Sequence, residues 1–104
     1  MKLITVKSHQ GEGQFPRFPK GCAVNILAKC AHYENWLQAE IAGYQVYVPS
    51  HFVDDNQLVI DYDPTELVIG ENEVVELLEL HYEWAVVKQG DKVGWLPCQI
   101  LKSI

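Results

Sequence analysis

Short apolar runs with interleaved polar positions recur along the chain at the spacing of strands. In CAVNILAKC (22–30), Val24 and Ile26 alternate with Ala23, Asn25 and Leu27. In EVVELLEL (73–80), Glu76 and Glu79 interrupt an otherwise apolar run. WLQAEIAG (36–43) and WAVVKQGDK (84–92) each read as a short strand entering a turn with Gly or Gly-Asp. QVYV (45–48) and KVGWL (92–96) read as the returning strands. Val, Ile, Tyr and Trp favour strands here because branched and aromatic side chains pack well on a pleated, half-buried surface. No window of about 11 or more residues keeps a helical apolar period, so no long amphipathic helix is expected. Single helical turns are expected at SHF (50–52) and CQI (98–100). Each follows a proline, whose missing N–H has no partner at a helix start anyway. Short strands separated by turn signals predict an all-β fold of the small-barrel kind.

The pattern occurs twice. HYENW stands at 32–36 and HYEW at 81–84. Trp36 and Trp84 are 48 residues apart, and so are Pro49 and Pro97. Each half reads as apolar strand, His-Tyr-Glu turn, Trp-led strand, Gly-containing turn, apolar strand, Pro. Matched internal spacing is stronger evidence of a repeat than a shared word. It predicts two tandem small barrels, 1–55 and 56–104, joined at the polar VDDNQ turn. Each is near the size below which one core is marginal, so the two are expected to pack against each other.

At 48% apolar and 21% charged residues, the chain has the composition of a protein with a packed core. No apolar run reaches membrane-spanning length, and MKLITVKSHQGEG has no apolar stretch of secretion-signal type, so a cytoplasmic location is expected. Cys22, Cys30 and Cys98 are odd in number and lack C-x-x-C spacing, which argues for buried thiols over a disulfide framework or a zinc site. The net charge of −6 disfavours nucleic acid and anionic membrane as partners. It is uneven: residues 1–54 hold five Lys/Arg and four acids, a net +1, whereas 55–104 hold three Lys and ten acids, a net −7.

The second half resembles the Src-homology-3 (SH3) family. LVIDYDPTEL (58–67) is similar to its opening Ala-Leu-Tyr-Asp-Tyr strand, with Asp61-Tyr62 retained. ELVIGENEVVELLE (66–79) and EWAVVKQGDKVGWLPCQIL (83–101) look like its Glu-Leu, Gly-acid, Trp-strand, distal-hairpin and Gly-aromatic-apolar-Pro segments. In the first half NWLQAEIAGYQVYVPSHFV (35–53) carries the same ending, and Ser50-His51-Phe52-Val53 is close to the family's Ser-Asn-Tyr-Val. The resemblance covers about residues 3–54 and 57–103, as a bacterial-type variant with incomplete peptide grooves.

The resemblance implies two SH3-like barrels that form a non-catalytic module for a protein or peptide, with no cofactor. The family's aromatic groove takes polyproline II segments, which are already extended and lose little entropy on binding. Carried over, the groove residues are Tyr33, Trp36, Pro49 and Phe52 in the first barrel, and Tyr62, Glu66, Tyr82, Trp84 and Pro97 in the second. Phe52 lacks the family's hydroxyl. Val6 and Ser8 stand near where the first barrel's opening tyrosines belong, and Ile60 and Ile100 replace tyrosines in the second. Acids near the second groove (Asp61, Asp63, Glu66, Glu71, Glu73) suit a basic or proline-containing ligand, or form a solvated face. The alternative is a structural or regulatory subunit that docks on a partner or self-associates, with its tryptophans buried in the interface. A cell-wall-binding SH3 variant and a Tudor-like aromatic cage of Tyr82, Glu83 and Trp84 rest on less.

FPRFPK (15–20) spaces Pro16 and Pro19 as in a P-x-x-P ligand. It reads either as a ligand for the acidic half or as a barrel loop with Phe15 and Phe18 packed inward, and the loop reading is preferred. His32 and His81 recur with Tyr and Glu. Each half offers one such His, and His9 and His51 complete no obvious cluster, so catalysis and metal binding are not expected.

Overall fold

The computed structural model describes residues 1–11 and 13–104. It is all-β, as the alternation predicts. The strands are β1 (Lys2–Thr5), β2 (Asn25–Lys29), β3 (Trp36–Ile41), β4 (Tyr44–Pro49), β5 (Val53–Asp54), β6 (Gln57–Leu58), β7 (Val74–His81), β8 (Trp84–Gln89), β9 (Lys92–Pro97) and β10 (Leu101–Ser103). The expected helical turns after the prolines are present as 3-10 turns, Ser50–Phe52 and Cys98–Ile100. The chain divides into two compact units. Unit 1 comprises Met1–Gln14 with Thr65–Ile104, and unit 2 comprises Phe15–Pro64.

Unit 1 is one antiparallel sheet in the order β10-β1-β7-β8-β9. Alternation along the strands sends Leu3, Val75, Ala85, Val87 and Leu96 into a core closed by Leu67, Ile69 and Ile100. Gly94 lies where no side chain fits: a Cβ there would stand 2.8 Å from the Leu67 backbone nitrogen. Thr5 is fully buried, and its hydroxyl is satisfied in both directions. It donates to the Gly70 carbonyl (2.7 Å) and accepts from the Glu73 N–H (2.9 Å). The Glu73 carboxylate in turn accepts from the Gly70 N–H (2.6 Å) and the Gln89 amide (3.0 Å).

Unit 2 has the sheet β2-β3-β4 and the hairpin β5-β6. Val24, Ala39, Ile41, Val46, Val48, Phe52 and Leu58 are buried in it. Asp55 and Asn56 form the two-residue turn of the β5-β6 hairpin, with φ of 50° and 58°. Two positive φ values in a two-residue loop are those of a type I′ turn, which matches strand twist. The VDDNQ stretch expected to link two barrels is therefore a hairpin inside one unit. The alternation expected in CAVNILAKC stops at Val24. A bulge between Ile26 and Ala28 breaks the register, and Ile26 and Leu27 are 43% and 49% exposed.

The two frameworks correspond strand by strand. The β3-β4 pairs Trp36↔Pro49, Leu37↔Val48, Gln38↔Tyr47 and Ala39↔Val46 recur, shifted by 48, as Trp84↔Pro97, Ala85↔Leu96, Val86↔Trp95 and Val87↔Gly94. The bulge at Ile26/Ala28 recurs, shifted by 51, at Leu77/Glu79. The three extra positions of shift arise in the connection to the Trp-led strand: past Cys30, which bonds Trp36 as the counterpart of His81, it has five residues (31–35) in unit 2, against only Tyr82-Glu83 in unit 1. The repeated His-Tyr-Glu word therefore does not mark equivalent sites. His81 is the last residue of β7, whereas His32 lies within a loop.

The opening strands are exchanged. β1, from the first repeat, pairs with β7 and β10 of the second. β6, from the second repeat, pairs with β5, and its Gln57 bridges to Ala23, both of the first. The hydrogen bonds match across the exchange. Thr5 N to Glu73 O corresponds to Leu58 N to Cys22 O, and Val6 N to Ile100 O corresponds to Val59 N to Phe52 O. His9 and Ile69 exchange mutual N–H···O bonds as Tyr62 and Phe18 do. The unit boundaries thus fall at 14/15 and 64/65, away from the expected 55/56 division, because a strand belongs to the sheet whose edge it pairs. Charge is evened out as well. Unit 1 carries five basic and eight acidic residues and unit 2 three and six, so each has a net charge of −3.

Candidate functional site

In unit 1, Ala85 and Val87 point into the core, so Trp84 and Val86 lie on the opposite face of β8. Their cross-strand partners Pro97 and Trp95 share that face. Trp84 is half-buried, while Pro97 and Trp95 are buried. The His9 ring meets Trp84 edge-on, with centroids 6.0 Å apart, and its Nε2 lies 2.6 Å from Glu66 Oε1. Both side chains are largely shielded, 19% and 15% exposed.

Local backbone places each group. His9 is held by its mutual hydrogen bonds with Ile69. Glu66 is held by a parallel bridge to Trp95, through Leu67 N to Trp95 O (3.0 Å) and Trp95 N to Thr65 O (3.1 Å). Gly11, with φ of 71°, lets the arm pass close: a Cβ there would stand 2.9 Å from the Glu66 Cβ. Farther along, His81 Nε2 lies 2.8 Å from Glu79 Oε1, and the His81 ring is 5.5 Å from that of Trp95. Tyr82, at φ 59° in the β7-β8 turn, is 47% exposed. The face thus offers an accessible indole and two carboxylates, each held by a histidine, and the Tyr82 phenol is exposed in the turn that precedes Trp84. Such a surface can stack on apolar groups and accept hydrogen bonds from cations.

On the corresponding face of unit 2 the Trp-Pro pair is covered, whereas Gln38 and Tyr47 are exposed. Trp36 is 4% exposed and its partner Pro49 is fully buried. Phe52 lies in the 3-10 turn, 6% exposed, with its ring edge-on to Tyr62 at 5.4 Å. The Tyr62 hydroxyl donates to the Tyr47 carbonyl. Tyr47 and Gln38 stand where Trp95 and Val86 stand in unit 1. Tyr33 is half-buried in the 31–35 loop.

Of the nine residues expected to form two grooves, unit 1 holds Glu66, Tyr82, Trp84 and Pro97. Unit 2 holds Tyr33, Trp36, Pro49, Phe52 and also Tyr62. The resemblance places Tyr62 in the second barrel, but strand exchange carries it into the unit of Phe52. Asp61 and Asp63 go with it. Asp61 accepts from the Lys20 N–H (2.8 Å) and lies 3.6 Å from the Arg17 guanidinium. Glu73 is turned to the Gly70 loop and Glu71 is exposed, while Glu66 is bonded to the His9 that meets Trp84. FPRFPK packs as a loop: Phe18 is 3% exposed, and Phe18 and Phe15 both lie against Tyr44, at 5.8 and 6.2 Å. Phe15 is only half-buried.

His9 was missed. Its sole signal is a count of positions: a shift of 53 from Thr5 to Leu58 brings His9 onto Tyr62, and no local pattern reveals that shift. Cys98 is half-buried, and burial, then the nearby Glu83 charge, push its thiol up, so it stays protonated near neutral pH. Among the described residues, no helix is long and apolar enough to cross a membrane. No family model, curated protein or solved structure matches the chain.

Proposed function

We propose that this chain is a non-catalytic binding module of two SH3-like repeats, and that the Trp84 face of unit 1 takes an extended protein or peptide segment. The carrying observation is the half-buried Trp84 beside buried Pro97, walled by His9 and Glu66. A half-buried indole over a rigid proline is a stacking platform that needs little reordering on binding. Glu66 and Glu79 suit a ligand with a basic residue next to its apolar contacts.

Unit 2 supports a different reading of its own face. With Trp36 at 4% exposure and Pro49 fully buried, these residues act as packing groups. This fits the structural role weighed beside binding for the repeated tryptophans.

The test is tryptophan emission with iodide quenching in the wild type, Trp36→Phe and Trp84→Phe, with molar mass measured in parallel and Trp95 as the common background. The quenchable component is expected to vanish in Trp84→Phe and persist in Trp36→Phe. A peptide array of basic and proline-containing segments then screens the open face. A monomer in which Trp84 resists iodide overturns the proposal.

A further inference from the structure

We propose that residues 1–14 are a transferable arm, and that besides the chain's own β7–β10 they fit the same strands of a second copy of this chain. The partner surface is the groove between β7 and β10 that β1 now fills. The register there is Lys2↔Glu76, Leu3↔Val75 and Ile4↔Val74 on one side, and Leu3↔Ser103, Ile4↔Lys102 and Thr5↔Leu101 on the other.

Four observations carry this. Unit 1 is completed by a segment that reaches it from the far end of the sequence, so chain continuity does not decide which arm fills the groove. The chain makes the same exchange a second time, where residues 57–62 complete unit 2 with matching hydrogen bonds. The attachment itself is made of ladder hydrogen bonds to β7 on one side and β10 on the other, buried Leu3, the two hydrogen bonds of Thr5 and the bonds of His9 to Ile69 and Glu66, all of which an identical arm from another copy reproduces. The arm runs on to unit 2 past Gly11 and Gly13, at φ 71° and 109°, conformations that glycine adopts without steric cost and from which it redirects readily.

Closed and exchanged forms therefore share their contacts and differ mainly in connectivity. Intramolecular closure wins at low concentration, because the tethered arm has a high effective concentration. Exchange between copies gains as the chain approaches the millimolar range. Interconversion is slow, since unit 1 must lose β1 before another arm enters.

The experiment uses the full chain, denatured and refolded at low and at high concentration, with mass read by size-exclusion light scattering. A species of twice the 11.9 kDa chain mass is expected after concentrated refolding, converting back slowly on dilution. The double variant Lys2→Cys/Glu76→Cys then locates the exchange. These two are directly opposite and flank the Leu77 N to Met1 O bond, a spacing that suits a disulfide. After mild oxidation, the dimer fraction should run as a covalent dimer on a non-reducing denaturing gel and the monomer fraction as a monomer, with the wild type oxidised alongside to report its own thiols. Ile4→Cys/Val74→Cys repeats the test if the first pair does not fold. Monomer alone at every concentration overturns the proposal. So does a dimer whose introduced disulfides are all within one chain, because that dimer forms through another surface.

Discussion

Units 1 and 2 use one framework for two faces. Opposite Val87 in unit 1 stands Gly94, and opposite Ala39 in unit 2 stands Val46, so large and small have traded places across an equivalent strand pair. In unit 1 the Leu67 backbone occupies the room above Gly94. Leu67 is bonded to Trp95, and its neighbour Glu66 is thereby drawn to the Trp84 face. Unit 2 has Pro16 at the position matching Leu67, and proline has no N–H to make the corresponding bond to Tyr47. The position of His9 is filled by Tyr62, whose longer side chain reaches the Tyr47 carbonyl. One face keeps a half-buried tryptophan with a carboxylate beside it. The other keeps its tryptophan buried. Equal backbones thus leave exposure to be decided by a few side chains on the arms.

The comparison is broken most severely by cutting the chain. With a protease site placed in the Asp55-Asn56 turn, the nicked protein is expected to stay a 1:1 assembly of its two pieces in native buffer, since each piece holds the other's opening strand. Separation of the pieces on a sizing column would show that the repeats are not exchanged.

Core truncation comes next. Leu3→Ala and Leu58→Ala should each cost about 2–5 kcal/mol in denaturant unfolding. Their local effects should cross over. Amide exchange is expected to quicken in β7–β9 for Leu3→Ala and in β2–β4 for Leu58→Ala, the reverse of what unexchanged halves require. Gly94→Ala drives a methyl against the Leu67 backbone and should cost about 1–3 kcal/mol, which the same melts would read. The smallest effect sharpens the turns. Ala42, at φ 51°, corresponds to Gly90, at φ 60°. Ala42→Gly copies the unit 1 turn and is expected to raise stability by about 0.5–1 kcal/mol, through relief of Cβ crowding in the left-handed region.

Strands β3, β4, β8 and β9 were legible from alternation, and so were both 3-10 turns, because strand period and proline position are local properties. Trp84, Pro97, Glu66 and Tyr82 fall in one unit because they lie on one side of the exchange. Tyr62 was placed with the wrong group and His9 was not placed at all. Both sit on opening arms, and no local signal says which sheet edge an arm will join. Ile26 departs from the alternation of its segment, since a bulge flips the side-chain direction that the apolar pattern implies. The shared His-Tyr-Glu word was overread for a related reason: loops of different length put the same letters on different parts of the framework.

By itself the sequence determined the all-β class, the doubled Trp-to-Pro hairpin with its common register, and the turns that close it. These follow from side-chain alternation, β-propensity and turn chemistry, which act over a few residues. Only the tertiary structure decided that each repeat lends its opening strand to the other, that the surplus acidity of the second half is shared equally, and that Trp84 stays half-buried where Trp36 is covered. Ladder hydrogen bonds are nearly the same whichever repeat supplies the strand. The choice between them rests on long-range packing, which no local pattern encodes.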